Sequence, residues 1–175
     1  AEKKDLIVDS FVKWRIVDVE QCFKTTTGDE NKAGRLLYEN INNGVYRTGF
    51  ATTAAAYEEA VTRLFDALDR MERRLTDRRY LMGDRMTEAD WRFFATLVRF
   101  DPVYVGHFKC NIRRIADYPA LSGYLRELYQ MPGIAASVVM PHIKTHYYAS
   151  HRQINPTGIV PLGPILDYTA PHGRG

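Results

Sequence analysis

Three groups of side chains in this 175-residue sequence are of a kind that does chemistry: the histidines around residue 146, the two cysteines, and the tyrosines. His142 and His146 stand i, i+4 apart with His151 close by, a spacing that can put two ligands for a metal on one helix face. A hydrolytic zinc helix needs His-Glu-x-x-His, in which the Glu is the general base, and here that second position is Ile143. No metal is expected, and the plainer reading is aromatic packing and a surface histidine. Cys22 lies in Glu20-Gln21-Cys22-Phe23, beside an acid. Cys110 follows Lys109 and precedes Arg113 and Arg114, which suits a thiolate somewhat better. For both, a packed structural thiol is the weightier reading. Tyrosine is overused, with 11 copies, and Tyr46, Tyr104 and Tyr147 occupy unusual settings: Asn43-Gly44-Val45-Tyr46, Asp101-Pro102-Val103-Tyr104, and the pair Tyr147-Tyr148. Each alone is a core ring with its hydroxyl at the surface. Together they would wall an aromatic pocket whose hydroxyls point at a polar ligand.

The elements that must position these residues are helical almost throughout. From Thr53 to Arg78 the apolar residues Tyr57, Val61, Leu64, Leu68, Met71 and Leu75 alternate steps of four and three, which keeps them on one stripe of a 3.6-residue helix. Thr87-Glu88-Ala89-Asp90 has the form of a capping box, with Met86 and Trp91 placed for a hydrophobic staple. The helix it opens runs through Trp91, Phe94 and Val98 to Pro102, which lacks an amide donor and predicts a break or a kink, and the apolar Val103, Tyr104, Val105 and Phe108 suggest that a kinked helix continues. Pro119 suits the first turn of a helix over 119–130, and short helices follow over 133–139 and 141–149. Beyond Ser150, Pro156, Pro161 and Pro164 with Gly158 and Gly163 predict an extended tail whose Ile, Val and Leu lie against the body. In the first 28 residues Val12, Ile16, Val19 and Phe23 lean towards a helix, although Trp14–Val19 also alternates loosely as a strand would. Thr25–Asp29 reads as a turn.

Composition sets the outer bounds. With 45% hydrophobic and 26% charged residues the chain belongs with ordinary globular proteins, and one core is the default. A net charge of +3 gives no nucleic-acid signal. The arginines between Arg70 and Arg79 are interleaved with Glu72 and Asp77, as on a solvated helix end laced by i, i+4 pairs. No apolar run approaches the roughly 20 residues that cross a bilayer. Two cysteines are too few for a disulfide framework and fit a reducing cytosol or an organelle matrix.

Three stretches carry a resemblance: Ile41–Ala51 (INNGVYRTGFA), Leu97–Asn111 (LVRFDPVYVGHFKCN), and the tail His146–Pro164 with Pro171-His172-Gly173-Arg174 after it. They resemble the glutathionyl-hydroquinone reductases, the Xi class of glutathione transferases. The resemblance runs from about Asp29 to Gly175 and implies an all-α fold: a transferase C-terminal helical bundle over 29–175 with an extended Pro/Gly-containing tail, preceded by a segment 1–28 of unassigned origin.

In that family a thioredoxin-fold domain holds glutathione and a nucleophilic Cys in a Cys-Pro-Trp type motif. The resemblance implies glutathione as co-substrate, no metal, a quinol pocket built from Tyr46, Tyr104 and Tyr147, and pairing of two copies through the helical domain. A neutral phenol, with a reference pKa of about 10, can donate to a quinol oxygen on which charge develops. No thioredoxin pattern precedes Asp29, and neither Cys22 nor Cys110 stands in a Cys-Pro motif. The residues therefore predict the quinol half of a site without the sulfur half, and no turnover by this chain alone. The other reading is a non-catalytic structural or assembly subunit of a larger complex, for which segment 1–28 would serve as a docking element. Partners are accordingly a thioredoxin-fold domain or other protein subunits.

Overall fold

The structure, a computed structural model, describes residues 37–175. The boundary expected at residue 28, the reading of Val12–Phe23, the Thr25–Asp29 turn and Cys22 lie outside that range. Within it the regular elements are helical, and an isolated bridge between Tyr80 and Gly83 is of β type.

A wide π-turn, Tyr38–Asn42, runs into α1 (Asn43–Gly49). The spine of the bundle is α2 (Ala54–Asp77), opened by Thr53, whose hydroxyl accepts from the Ala56 N–H at 3.2 Å. Its apolar stripe faces inward as the spacing required: Val61, Leu64, Leu68 and Leu75 are buried, and Tyr57 and Met71 pack at the edge of the core. Next comes α3 (Glu88–Arg99), which starts with the expected capping box, Asp90 accepting from the Thr87 N–H at 2.7 Å.

Pro102 does not break the helix. The chain passes it in a second π-turn, Phe100–Tyr104, in which the Val105 N–H reaches back to the Phe100 carbonyl. In α-geometry the Pro102 ring would crowd the Val98 carbonyl and leave it without a donor. The wider turn relieves that crowding, and the Tyr168 hydroxyl donates to Val98 O at 3.3 Å instead. The helix then continues as α4 (Val105–His107), and a 3₁₀ turn, Ile115–Asp117, leads to α5 (Pro119–Tyr129). Asp101, buried in the π-turn, receives the N–H groups of Ile115 and Ala116 at 2.7 and 3.0 Å and so ties the two segments together. The short helices are α6 (Ile134–Ser137) and α7 (Met140–Ser150). Among the described residues no helix is long and apolar enough to cross a membrane.

One expectation needs correction and another holds in part. The charged residues near the end of α2 do not chiefly pair within the helix; they reach other elements. The Glu72 carboxylate accepts from the Ala120 and Leu121 N–H groups, both at 2.8 Å, and caps α5 from the side, while Asp69 pairs with Arg113 and Arg79 with Glu127. The tail is extended, and only part of its aliphatic side chains lies against the body: Ile154 packs on the core and Val160 and Leu166 are half-buried, whereas Ile159, Leu162 and Ile165 are exposed. Polar side chains from the helices hold its backbone: Lys144 donates to Leu162 O and Gly163 O, both at 2.9 Å, and Gln130 to Tyr168 O and Ala170 O. Prolines leave a tail with many free carbonyls and few donors, and long donor side chains are what such a strand binds best.

Candidate functional site

Tyr46, Tyr104 and Tyr147 lie on three different elements, α1, the Phe100–Tyr104 π-turn and α7, and their hydroxyls converge. Tyr147 is central: its oxygen is 2.9 Å from that of Tyr104 and 2.7 Å from that of Tyr46. Tyr104 is buried, Tyr147 nearly so, and Tyr46 is 37% exposed, so the chain of hydroxyls runs from the core to the surface. Each phenol has one proton. If Tyr104 donates to Tyr147 and Tyr147 to Tyr46, the proton of Tyr46 is left for a ligand oxygen, and each bond polarises the next. Burial raises the Tyr104 and Tyr147 pKa values above that of a free phenol; Tyr147 and Tyr46 raise that of Tyr104 further, and Tyr46 raises that of Tyr147 while its bond with Tyr104 lowers it in part, so both stay neutral donors.

Around the hydroxyls is a pile of rings. Phe108 is fully buried and stacks on Tyr104 with centroids 5.5 Å apart, and its face lies 5.4 Å from Tyr46. Phe50, 42% exposed, covers the outer side between Tyr46 and His151. The result is an open aromatic face rather than an enclosed pocket. Phe50 also borders a separate groove of about 330 Å³ between α1 and α2, which has Gly44, Ala56 and Ala60 on its floor and Arg47, Glu59 and Arg63 at its rim.

Close approach of α1 to Phe108 depends on Gly49. A Cβ at that position would stand 2.2 Å from two ring carbons of Phe108. Gly49→Ala is expected to destabilise the fold by about 2 kcal/mol through overpacking. Gly44→Ala, whose Cβ would meet nothing nearer than Leu64 at 3.4 Å, should leave the urea midpoint within experimental scatter of the parent. Equal effects from the two substitutions would remove the packing argument.

The other sequence candidates do not join this cluster as reactive groups. Cys110 is fully buried, its sulfur 3.9 Å from the Val45 and Phe108 carbonyls, and burial pushes its thiol up to about 12. A thiol so placed stays protonated and packs as a small apolar group. His146 packs edge-on against Tyr147 while exposed to solvent, and His142 is exposed. Among the described residues no group of three or more His, Cys, Asp or Glu side chains converges as metal ligands would. Sequence reasoning passed over Phe50, Phe108 and His107 as site residues and weighed His151 only beside a metal. The signal was present in the spacing: His107 follows Tyr104 by three and His151 follows Tyr147 by four, one helical turn in each case.

Residues 54–127 match the family described as the glutathione S-transferase C-terminal domain. The whole helical body superposes on the glutathione-bound structure of YqjG, a glutathione transferase homolog from Escherichia coli K-12, with a TM-score of 0.81 at 54% identity over 82% of this chain. This chain carries a glutathione S-transferase C-terminal domain. The transferase domain is 56% identical over 138 residues to the glutathionyl-hydroquinone reductase YqjG of Escherichia coli, covering 79% of this chain and 42% of the relative. It is 60% identical over 128 residues to the glutathionyl-hydroquinone reductase PcpF of Sphingobium chlorophenolicum, covering 73% of this chain and 41% of the relative. The Xi class transferase from Natrialba magadii superposes with a TM-score of 0.80 at 52% identity, over 85% of this chain and 46% of that one. The chain thus spans less than half the length of these relatives.

Proposed function

We propose that this chain is the hydroquinone-binding helical domain of a glutathione-dependent reductase that removes glutathione from glutathionyl-hydroquinones. The observation that carries the reading is the hydroxyl chain Tyr104–Tyr147–Tyr46, which begins in the core and ends on an exposed phenol beside an aromatic face. A bundle that only held subunits together would have no use for such a donor relay, which argues against the scaffold reading. The site is the electrophilic half of the reaction. The ring carbon that bears sulfur first takes up a proton as the adjacent hydroxyl system gives one up, forming the keto tautomer. A thiolate then attacks the glutathionyl sulfur, the sulfur–carbon bond breaks, a mixed disulfide forms, and the released electron pair restores the aromatic ring as a phenolate whose oxygen is then protonated. Phenol donors at that oxygen stabilise the charge while it is there. A second glutathione then resolves the mixed disulfide and returns the thiolate.

Among the described residues the only cysteine is Cys110, and its raised pKa excludes it as the attacking thiolate. The nucleophile and the glutathione site accordingly belong to a thioredoxin-fold partner domain, in a reducing cytosol or organelle matrix, with two copies paired through their helical domains. Glutathionyl-menadiol and reduced glutathione supplied to the purified 175-residue chain should give no turnover. Turnover that Cys110→Ser abolishes would overturn the assignment of a structural thiol. Binding is the positive test. Tyr46→Phe removes the terminal donor from an exposed position and should weaken 1-naphthol binding about fivefold, the worth of one net hydrogen bond. An unchanged affinity in calorimetry would sink the quinol reading.

A further inference from the structure

Two hydrogen-bonded rungs join the segment ending in α4 to α7. The first is the Tyr104–Tyr147 contact at 2.9 Å; the second, one turn along both segments, is His107 Nε2 to His151 Nδ1 at 3.1 Å. His107 is 4% exposed and packed under Tyr148 and against Phe108, with ring centroids 4.7 and 5.2 Å away, so its imidazole has little freedom. His151 is only partly buried. Its ring lies over Phe108 at 5.8 Å and 15°, and meets Phe50 edge-on at 5.3 Å. Nδ1 of His151 is occupied by His107, while Nε2, across the imidazole, has no hydrogen-bond partner among the described residues.

Phe50 is the shared neighbour: Tyr46 lies nearly parallel to it with centroids 6.5 Å apart, and His151 meets it edge-on at 5.3 Å. Tyr46 and His151 both also contact Phe108, at 5.4 and 5.8 Å, so a phenol hydroxyl and an imidazole border the same pair of aromatic rings. We propose that His151, through Nε2, recognises the second hydroxyl of a para-diol whose first hydroxyl is held by the tyrosines, with His107 as the positioning residue that fixes the imidazole. The proposal rests on the quinol reading given above and adds to it the group that tells a diol from a mono-phenol.

Electrostatics supports the assignment. Burial lowers the His107 pKa to about 4, assisted by repulsion from His151 and Lys109, and burial followed by repulsion from His146 lowers that of His151. Both shifts favour the uncharged imidazole. In the tautomer in which the His151 Nδ1–H donates its hydrogen bond to His107 Nε2, the His151 Nε2 is a bare acceptor, a partner for a diol hydroxyl.

The test is calorimetry on the full 175-residue chain with two probes, 1,4-naphthalenediol kept reduced in anaerobic buffer and 1-naphthol, which lacks the second hydroxyl. The parent should bind the diol about fivefold more tightly. His151→Phe keeps a ring against Phe108 and Phe50 but has no nitrogen, and should bind the two probes alike. His151→Gln, a second variant that does not depend on refitting a ring, should show an intermediate preference. His107→Phe should reduce the preference without direct contact with either probe, a change that a purely structural role would not produce. A parent without preference, or a preference that survives His151→Phe, overturns the histidine assignment while leaving the quinol reading intact if Tyr46→Phe still weakens 1-naphthol binding. Failure of the parent to bind either probe, or indifference to Tyr46→Phe, overturns the quinol reading and the assignment with it.

Discussion

Asp90→Ala is expected to destabilise the domain by about 4 kcal/mol, because it leaves several buried donors without an acceptor. The side chain is fully buried and accepts four hydrogen bonds. One oxygen takes the Leu81 N–H at 2.9 Å and the Tyr124 hydroxyl at 2.7 Å; the other takes the Thr87 N–H at 2.7 Å and the Thr87 hydroxyl at 2.9 Å. Loss of the capping box alone would account for about 1 kcal/mol. The remainder comes from the Leu81 amide and the Tyr124 hydroxyl, which sit where water cannot replace the carboxylate. Asp90→Asn tests the division: its amide turns a donor towards two of these donors, so it should be nearly as damaging as Ala despite its shape. Urea denaturation of both variants decides. If Asn is tolerated, Asp90 acts only as a helix cap.

The contrast between the cap and the hub shows which parts of the fold the sequence displayed. Local patterns translated well. The stripe from Tyr57 to Leu75 gave α2, Thr87 to Asp90 gave the start of α3, and Pro119 gave the first turn of α5. These rest on interactions within four residues, which periodicity and caps encode directly. Anything depending on partners distant in sequence was hidden. Asp90 reads as a cap because Thr87 is three residues away; its bond to Tyr124 spans 34. Glu72 reads as a surface charge because nothing nearby announces that it will cap α5 from 48 residues away.

The site divides in the same way. Tyr46, Tyr104 and Tyr147 could be singled out through a family resemblance, but no spacing in the sequence brings their hydroxyls within hydrogen-bonding distance. The π-turn at Phe100–Tyr104 does part of that work. One additional residue in the turn rotates everything after it relative to α3, so Tyr104 and His107 face α7 together. Such turns are characteristic of functional sites, and here the cause is Pro102, at which the sequence predicted a break or a kink with the helix continuing beyond it. The tail divides likewise: Ile154 packs on the core as its apolar character suggested, whereas the carbonyls that Lys144 and Gln130 bind had no local signal.

Glu127→Gln is expected to cost about 3 kcal/mol, the usual consequence of breaking a buried ion pair from one side. The Glu127 side chain is 4% exposed and receives Arg79 Nε on one oxygen and Arg174 Nε on the other, both at 2.8 Å. Arg174 comes from the tail and is 13% exposed; it also donates to the Leu75, Arg78 and Arg79 carbonyls and lies over the Tyr124 ring. Without the carboxylate this cation keeps only neutral partners, and the end of the tail should loosen from α2 and α5. Arg174→Ala should cost less, because Glu127 retains the half-exposed Arg79. The pair also has a pH signature. Burial pushes the Glu127 carboxyl up, but the hydrogen bonds from Arg79 and Arg174 and their charges outweigh it, so its pKa is lowered overall. A lowered folded-state pKa means stability that is present above the unfolded value, about 4.3, and lost as pH falls through the folded one. Urea midpoints of parent and Glu127→Gln should therefore converge as pH is lowered from about 6 to about 3, as the parent loses what the variant never had. Two curves that stay parallel over that range would show that Glu127 is not the group through which acid releases the tail.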